Sequence, residues 1–209
     1  QKLFFSAFPA SDTPEMSQAF QALYPSVVPA THILETTLNN GNPVTHPAGS
    51  MLNAGAIEFS KGDFCLYSQG ISPGVARVIQ SVDDERLALC RSLGLKEIPT
   101  RERLVRYGYT KPGADLYEEY HNSEVFRGAK GPHSLQDRYF TEDIPYGLVL
   151  WSSLGRNLGV PTSTIDAIIT IATSLCQHDF RREGITAEKL GLAGMNSAQI
   201  NKYLQTGQK

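Results

Sequence analysis

One histidine stands where a proton could be moved. His46 lies in NPVTHPAGSMLNAG, with a polar, turn-rich approach from Asn39 to Pro43 and small, helix-compatible residues after it. An imidazole titrates near neutrality, so it can serve as acid and as base. Pro47 disfavours the α conformation at the residue before it, which predicts the His46 ring at a helix start or kink, loosely packed and open to a ligand. Asp166 is the second candidate. It falls within Ile165-Asp-Ala-Ile-Ile, where an unpartnered carboxylate is costly. Either Thr162 to Thr164 satisfy it as a helix cap, or it pairs with a distant cation or imidazole. His46 is the natural imidazole, and a carboxylate on that ring would fix its tautomer.

Further side chains could hold a substrate. Arg138 and Arg156 could each clamp a carboxylate bidentately, with surface ion pairing as the alternative. Asn42 and Asn53, like Asn39 and Asn40, could bind amide or carboxylate groups or serve only turns and caps. Tyr107, Tyr109, Tyr117 and Tyr120 could line a pocket. The run from Gly70 to Gly74 lacks the glycine spacing of a phosphate loop. Five histidines form no H-x-x-x-H pair and three cysteines form no C-x-x-C pair, so neither a metal site nor a disulfide framework is expected. Cys65, Cys90 and Cys176 are read as small hydrophobes in a reducing, cytoplasmic setting.

The elements that must position these groups are mostly helices. Residues 3–8 read as a short strand, 14–23 as an amphipathic helix opened by Pro14, and Val27-Val28 as another strand. A small-residue helix is expected over 47–60. Apolar positions from Val75 to Leu93 recur at helical spacing until Gly94 stops them. Residues 99–130 suit short helices and ordered loops. Thr141 is positioned to cap a helix whose stripe runs Ile144, Leu148, Trp151, Leu154 and Leu158. The segment after Pro161 is apolar nearly all round, which predicts a central helix. A last helix is expected over 197–204.

Composition narrows the function. The 209 residues carry a net charge of −2 and 19% charged side chains, an ordinary globular balance with no basic excess to attract nucleic acid or an anionic membrane. No apolar run approaches the roughly 20 residues that span a bilayer, and KLFFSAF is too short for a signal peptide.

Four blocks in order carry a family likeness: NPVTHPAGSMLNAGAIE, YSQGISPGVARVIQSVDDERLALCRSLGL, RYFTEDIPYGLVLWSSLGRNLGVPTSTIDAII and ITAEKLGLAGM. Across about residues 33–205 the chain resembles the C-terminal catalytic domain of the opine (octopine/nopaline) dehydrogenases. The resemblance implies a mainly α fold. Residues 33–209 would form a helical domain of the 6-phosphogluconate dehydrogenase C-terminal type, and 1–32 the short remnant of a Rossmann α/β domain. It implies reductive condensation of an amino acid with a 2-oxo acid such as pyruvate, with NAD or NADP as cofactor. His46 of the NPxxH block and Asp166 of a TPxxD-like block, with Ser163 at the proline position, would be the catalytic pair. Asn42, Asn53, Arg138 and Arg156 are the substrate-binding candidates.

The glycine-rich loop and most of a Rossmann sheet are absent from the sequence, and the chain begins at Gln1. It is therefore expected to be part of a longer protein, partnered by a Rossmann domain upstream and inactive alone. A homodimer is compatible with the sequence, which leaves the oligomeric state open. Two alternatives stand beside this reading. One is a ketopantoate-reductase-like or hydroxyacid dehydrogenase domain, which would favour a lysine acid–base where only Lys61 is near. The other is a helical dimerisation or binding module without catalysis.

Overall fold

A computed structural model describes residues 3–209; Gln1 lies outside the described residues. Strands β1 (Leu3–Phe5) and β2 (Val27–Pro29) pair in parallel, Leu3 opposite Val27. Between them runs helix α1 (Thr13–Leu23), started by Pro14. This right-sized β-α-β piece leads through α2 (Ile33–Leu38) into an array of helices. The mainly helical fold agrees with the sequence pattern.

The central helix is α3 (Asn42–Met51), whose residues 43–51 are all buried. It carries His46 and Pro47 in its interior, which corrects the expectation of a kink and of a single helix over 47–60. A second helix, α4 (Ala54–Ser60), follows after a break at Leu52 and Asn53. Proline is tolerated because position 47 lies just beyond the first turn, so only the one bond to the Pro43 carbonyl is forgone. Tertiary burial on every side outweighs that loss.

Around α3 pack α5 (Pro73–Ser92), α8 (Arg138–Thr141) and α10 (Ser163–Cys176). The Ser72 hydroxyl caps α5 by accepting from the Val75 amide at 3.3 Å, and Gly94, at φ +69°, lets the chain leave it. Helix α10 is not central: Ile165, Ile168, Ile169 and Ala172 face the core, whereas Ile171 and Leu175 are exposed. Thr141 does not cap the next helix either. It ends α8, whose cap is Asp137, and its hydroxyl donates back to the Asp137 carbonyl.

Two π-helical turns flank α3, at Leu66–Gly70 and Ile144–Leu148. The second runs directly into α9 (Val149–Leu158), and Ile144, Leu148, Trp151 and Leu154 are all buried as their spacing predicts. The expected short helices of the 99–130 region are α6 (Thr100–Arg106) and α7 (Leu116–His121). Helices α11 (Phe180–Glu183) and α12 (Ser197–Thr206) complete the chain.

A buried polar knot joins α5, α2 and α6. Arg86 donates to Asp83 at 2.9 Å, to the Leu38 carbonyl at 2.8 Å and to the Ile98 carbonyl at 2.7 Å. Asp83 also accepts from the amide and hydroxyl of Thr100. Among the described residues, no helix is long and apolar enough to cross a membrane.

Candidate active site

His46 is buried, with 6% of its surface exposed, and both ring nitrogens are engaged. Nδ1–H donates to Asp143 Oδ2 at 2.8 Å. The Tyr67 hydroxyl lies 3.0 Å from Nε2. Burial, reinforced by neighbouring tyrosines and Asp143, pushes the Tyr67 phenol well above its ordinary value. It therefore keeps its proton and donates it to Nε2. The Tyr139 ring stacks on the imidazole, centroids 3.8 Å apart and planes 14° from parallel. These three contacts fix one tautomer and one ring plane.

Local structure explains how these groups converge. Asp143 precedes one π-helical turn, in which the Leu148 amide reaches back five residues to the Asp143 carbonyl. Tyr67 sits inside the other, where Ile71 reaches back to Leu66 in the same way. Such turns widen the helix locally and recur at functional sites. Tyr67 is also held by stacking on Phe126, centroids 4.2 Å apart.

The site opens into a cavity of about 710 Å³, within the range that encloses small metabolites. His46, Tyr67, Tyr139, Arg138, Asn42 and Arg103 are among its walls. Arg138 is exposed and places its guanidinium 5.9 Å from the centroid of the Tyr139 ring, the ring that stacks on His46. Leu3 and Phe4 of β1 form part of the same wall.

Asp166 is not the partner of His46. Its carboxylate accepts from Ser152 at 2.6 Å, from Arg181 at 2.7 Å and from Thr162 at 3.2 Å. Its side chain is 37% exposed, because α10 turns this face outward. Partial burial opposes ionisation, but the Ser152 and Arg181 bonds outweigh it and hold the carboxyl below its ordinary range. Arg156 belongs to the same cluster, donating to Ser152 at 2.8 Å. Asn53 donates to the Gly49 and Gly70 carbonyls, tying α3 to the π-helical turn. Of the candidates singled out in the sequence, the cavity gathers His46, Asn42 and Arg138 together with Asn39, Asn40, Tyr107, Tyr109 and Tyr120, and leaves out Asp166, Asn53, Arg156 and Tyr117.

Sequence reasoning missed Asp143, Tyr67, Tyr139 and Arg103. In the sequence Asp143 reads as a first-turn carboxylate of the helix that Thr141 was expected to cap, a role that asks for no partner. Its usable signal is its place immediately before a fully buried apolar stripe, where a carboxylate needs a buried partner.

The Gly70–Gly74 segment enters α5 with the Ser72 hydroxyl already spent on the helix amide.

Comparison with known proteins now has a geometry to meet. A family described as NAD/NADP octopine/nopaline dehydrogenase, alpha-helical domain, matches residues 29–176. The chain belongs to this family. It is 37% identical over 201 residues to the opine dehydrogenase of Arthrobacter sp. (strain 1C), covering 96% of this chain and 55% of that protein. It is 28% identical over 194 residues to protein ocs of Agrobacterium vitis, covering 91% of this chain and 53% of that one. The chain therefore spans about half the length of the curated relatives it matches. Octopine dehydrogenase solved with NADH and L-arginine shares its fold, with a TM-score of 0.67 at 19% identity over 92% of this chain and 54% of that one. The same protein solved with NADH and agmatine gives the same TM-score and coverage.

Proposed function

We propose that this chain is the substrate-side half of an NAD(P)-dependent opine dehydrogenase, which joins an amino acid to a 2-oxo acid such as pyruvate and reduces the product. The observation that carries the reading is the buried Asp143–His46–Tyr67 array at the wall of a cavity that also holds Arg138. In this reading residues 1–32 are the end of a Rossmann domain and 33–209 the helical domain. The family match beginning at residue 29 supports that division. Free thiols at Cys65, Cys90 and Cys176 suit a cytoplasmic protein.

His46 works on the proton inventory of the condensation. Its Nε2 lone pair, once the substrate ammonium takes the place of the Tyr67 hydroxyl that donates to it, accepts a proton from that ammonium and frees the amine to form the C–N bond at the keto carbon. The imidazolium returns that proton to the carbinolamine oxygen, which leaves as water and gives an iminium ion. The iminium carbon would then accept a hydride, the chemistry that a bound nicotinamide nucleotide would supply, to give the secondary amine. Asp143 holds the ring with Nδ1 protonated throughout, so that Nε2 is the working nitrogen. Arg138, beside Tyr139, is suited to grip the carboxylate next to the reacting carbon.

A non-catalytic helical module predicts no pairing of His46 with Asp166, and the two do not pair; it also predicts both facing solvent, whereas His46 is buried against Asp143. The buried array argues against that alternative. The test uses the intact protein that contains this chain, following NAD(P)H oxidation with pyruvate and a panel of amino acids. His46→Ala is expected to lower kcat by roughly 10²–10⁴-fold. Unchanged turnover would remove His46 from the chemistry.

A further inference from the structure

The working nitrogen of His46 already has a neighbour. The Tyr67 hydroxyl lies 3.0 Å from Nε2, and among the described residues this is its one hydrogen bond. A substrate nitrogen that reaches Nε2 therefore displaces the hydroxyl of a residue only 6% exposed. A buried donor that loses its acceptor and gains no other is left with the whole cost of its desolvation. The bond that the substrate takes over must be replaced.

The displaced hydroxyl is held close to where it started. The Tyr67 ring stacks on Phe126 and also lies against Tyr120, with centroids 5.5 Å apart and planes tilted by 38°. Its backbone belongs to the π-helical turn Leu66–Gly70. The Leu66 amide anchors that turn on the Ala129 carbonyl, and the Ile71 amide closes it on the Leu66 carbonyl. Neither Tyr120 nor Asp143 offers a ready substitute for Nε2. The Tyr120 hydroxyl shares a 2.6 Å bond with Thr45, and Asp143 faces Nδ1 on the other edge of the imidazole. The acceptor that arrives with the amine is the keto oxygen of the 2-oxo acid. Once the C–N bond forms, a single carbon separates that oxygen from the nitrogen at Nε2, which brings it beside the phenol.

We propose that Tyr67 is a second participant in the condensation: its hydroxyl passes from Nε2 to the keto oxygen of the 2-oxo acid and holds that oxygen while the amine adds to the carbon. The proposal rests on the opine dehydrogenase reading above and adds a residue to its chemistry. The amine lone pair forms the C–N bond, and the π pair of the carbonyl moves onto oxygen. The two protons with which that oxygen leaves as water come from the nitrogen by way of His46. Tyr67 donates a hydrogen bond and keeps its own proton. Burial, which holds its phenol well above the ordinary value, makes it a donor and not a base. A donor fixed beside the place where negative charge develops favours the transition state over the free keto acid.

The test is Tyr67→Phe in the intact protein, which keeps the ring against Phe126 and removes only the hydroxyl. Turnover and product binding are read together. With pyruvate and the best amino donor, kcat is expected to fall roughly 10²–10³-fold. The opine formed in that reaction has no such oxygen, and in the variant the phenol no longer competes for Nε2. By calorimetry the opine should bind at least as tightly as to the wild type, and up to about tenfold more tightly. A role confined to packing or to orienting His46 would weaken opine binding along with turnover. Weaker opine binding, or an unchanged kcat, would overturn the proposal and leave Tyr67 a wall of the cavity. A wild type that turns over no amino acid with any 2-oxo acid would sink the enzymatic reading and this proposal with it. An active wild type beside an unimpaired variant would sink the role of Tyr67 alone.

Discussion

At the scale of the residue, the site depends on which carboxylate orients His46. Asp143 is within hydrogen-bond distance of Nδ1, and Asp166 is occupied by Ser152, Arg181 and Thr162. Asp143→Asn keeps the shape but can present its amide to Nδ1 and so favour the wrong tautomer. It is expected to reduce kcat by roughly 10²–10⁴-fold. Asp166→Asn should leave kcat within about twofold while lowering the melting temperature, because it loosens only a half-exposed cluster. Steady-state kinetics on the two variants, side by side, decide the assignment; the reverse ranking would refute it. His46 was legible because an imidazole between two prolines is a rare composition. Its environment was not. The local rule that a residue before proline avoids the helix was overridden by burial of residues 43–51 of α3, and the partner carboxylate comes from 97 residues away.

At the scale of the element, α3 is held by surfaces that admit no extra atoms. A Cβ on Gly147 would fall 2.6 Å from Pro43 Cβ, inside the contact between the π-helical turn and the first turn of α3. Gly147→Ala should therefore push α3 away from Asp143, lengthening the His46–Asp143 bond and destabilising the fold by about 1–3 kcal/mol. Urea unfolding together with kcat would register both effects, and a variant with wild-type stability would contradict the packing described. Helices α5 and α12 were readable because their ends carry chemical signals: Ser72 and Gly94 for one, Asn196 and Gly207 for the other. The two π-helical turns were not. Their i+5 bonds carry no residue signature, and arise where tertiary contacts hold an extra residue in the coil. Since Tyr67 lies in one of those turns and Asp143 caps the other, the part of the site hardest to read is the part that surrounds the imidazole.

At the scale of the whole molecule, stability should follow pH through two groups. His32 is buried, donates from Nε2 to Asn201 at 3.0 Å, and has an unpartnered Nδ1. Burial lowers its pKa from the ordinary value, against smaller opposing effects of Asn201 and Glu35. The unfolded chain thus binds this proton more readily than the fold. The stability tied to neutral His32 is complete above about pH 6.5 and declines as pH falls below it. Asp166, held below its ordinary value, adds a second loss at lower pH, beginning beneath the usual carboxylate range. Melting temperatures across this range should decline in two stages, with the upper stage absent from His32→Gln; a single acid limb in the wild type would be the contrary result. The same histidine has a mechanical meaning. Asn201 of α12 accepts from His32 at the junction between the strand pair and the helices, while donating to the Leu93 carbonyl at the end of α5. Phe8 meets Tyr203 edge-on, and Ser197 hydrogen-bonds the Ser92 carbonyl. The C-terminal helix is thus riveted to both parts, and the stretch around residues 30–32 is a weld rather than a hinge. The strand pair and the helical array are therefore tied through α12 as well as through the chain itself, and Leu3 and Phe4 share with His46 the wall of one cavity.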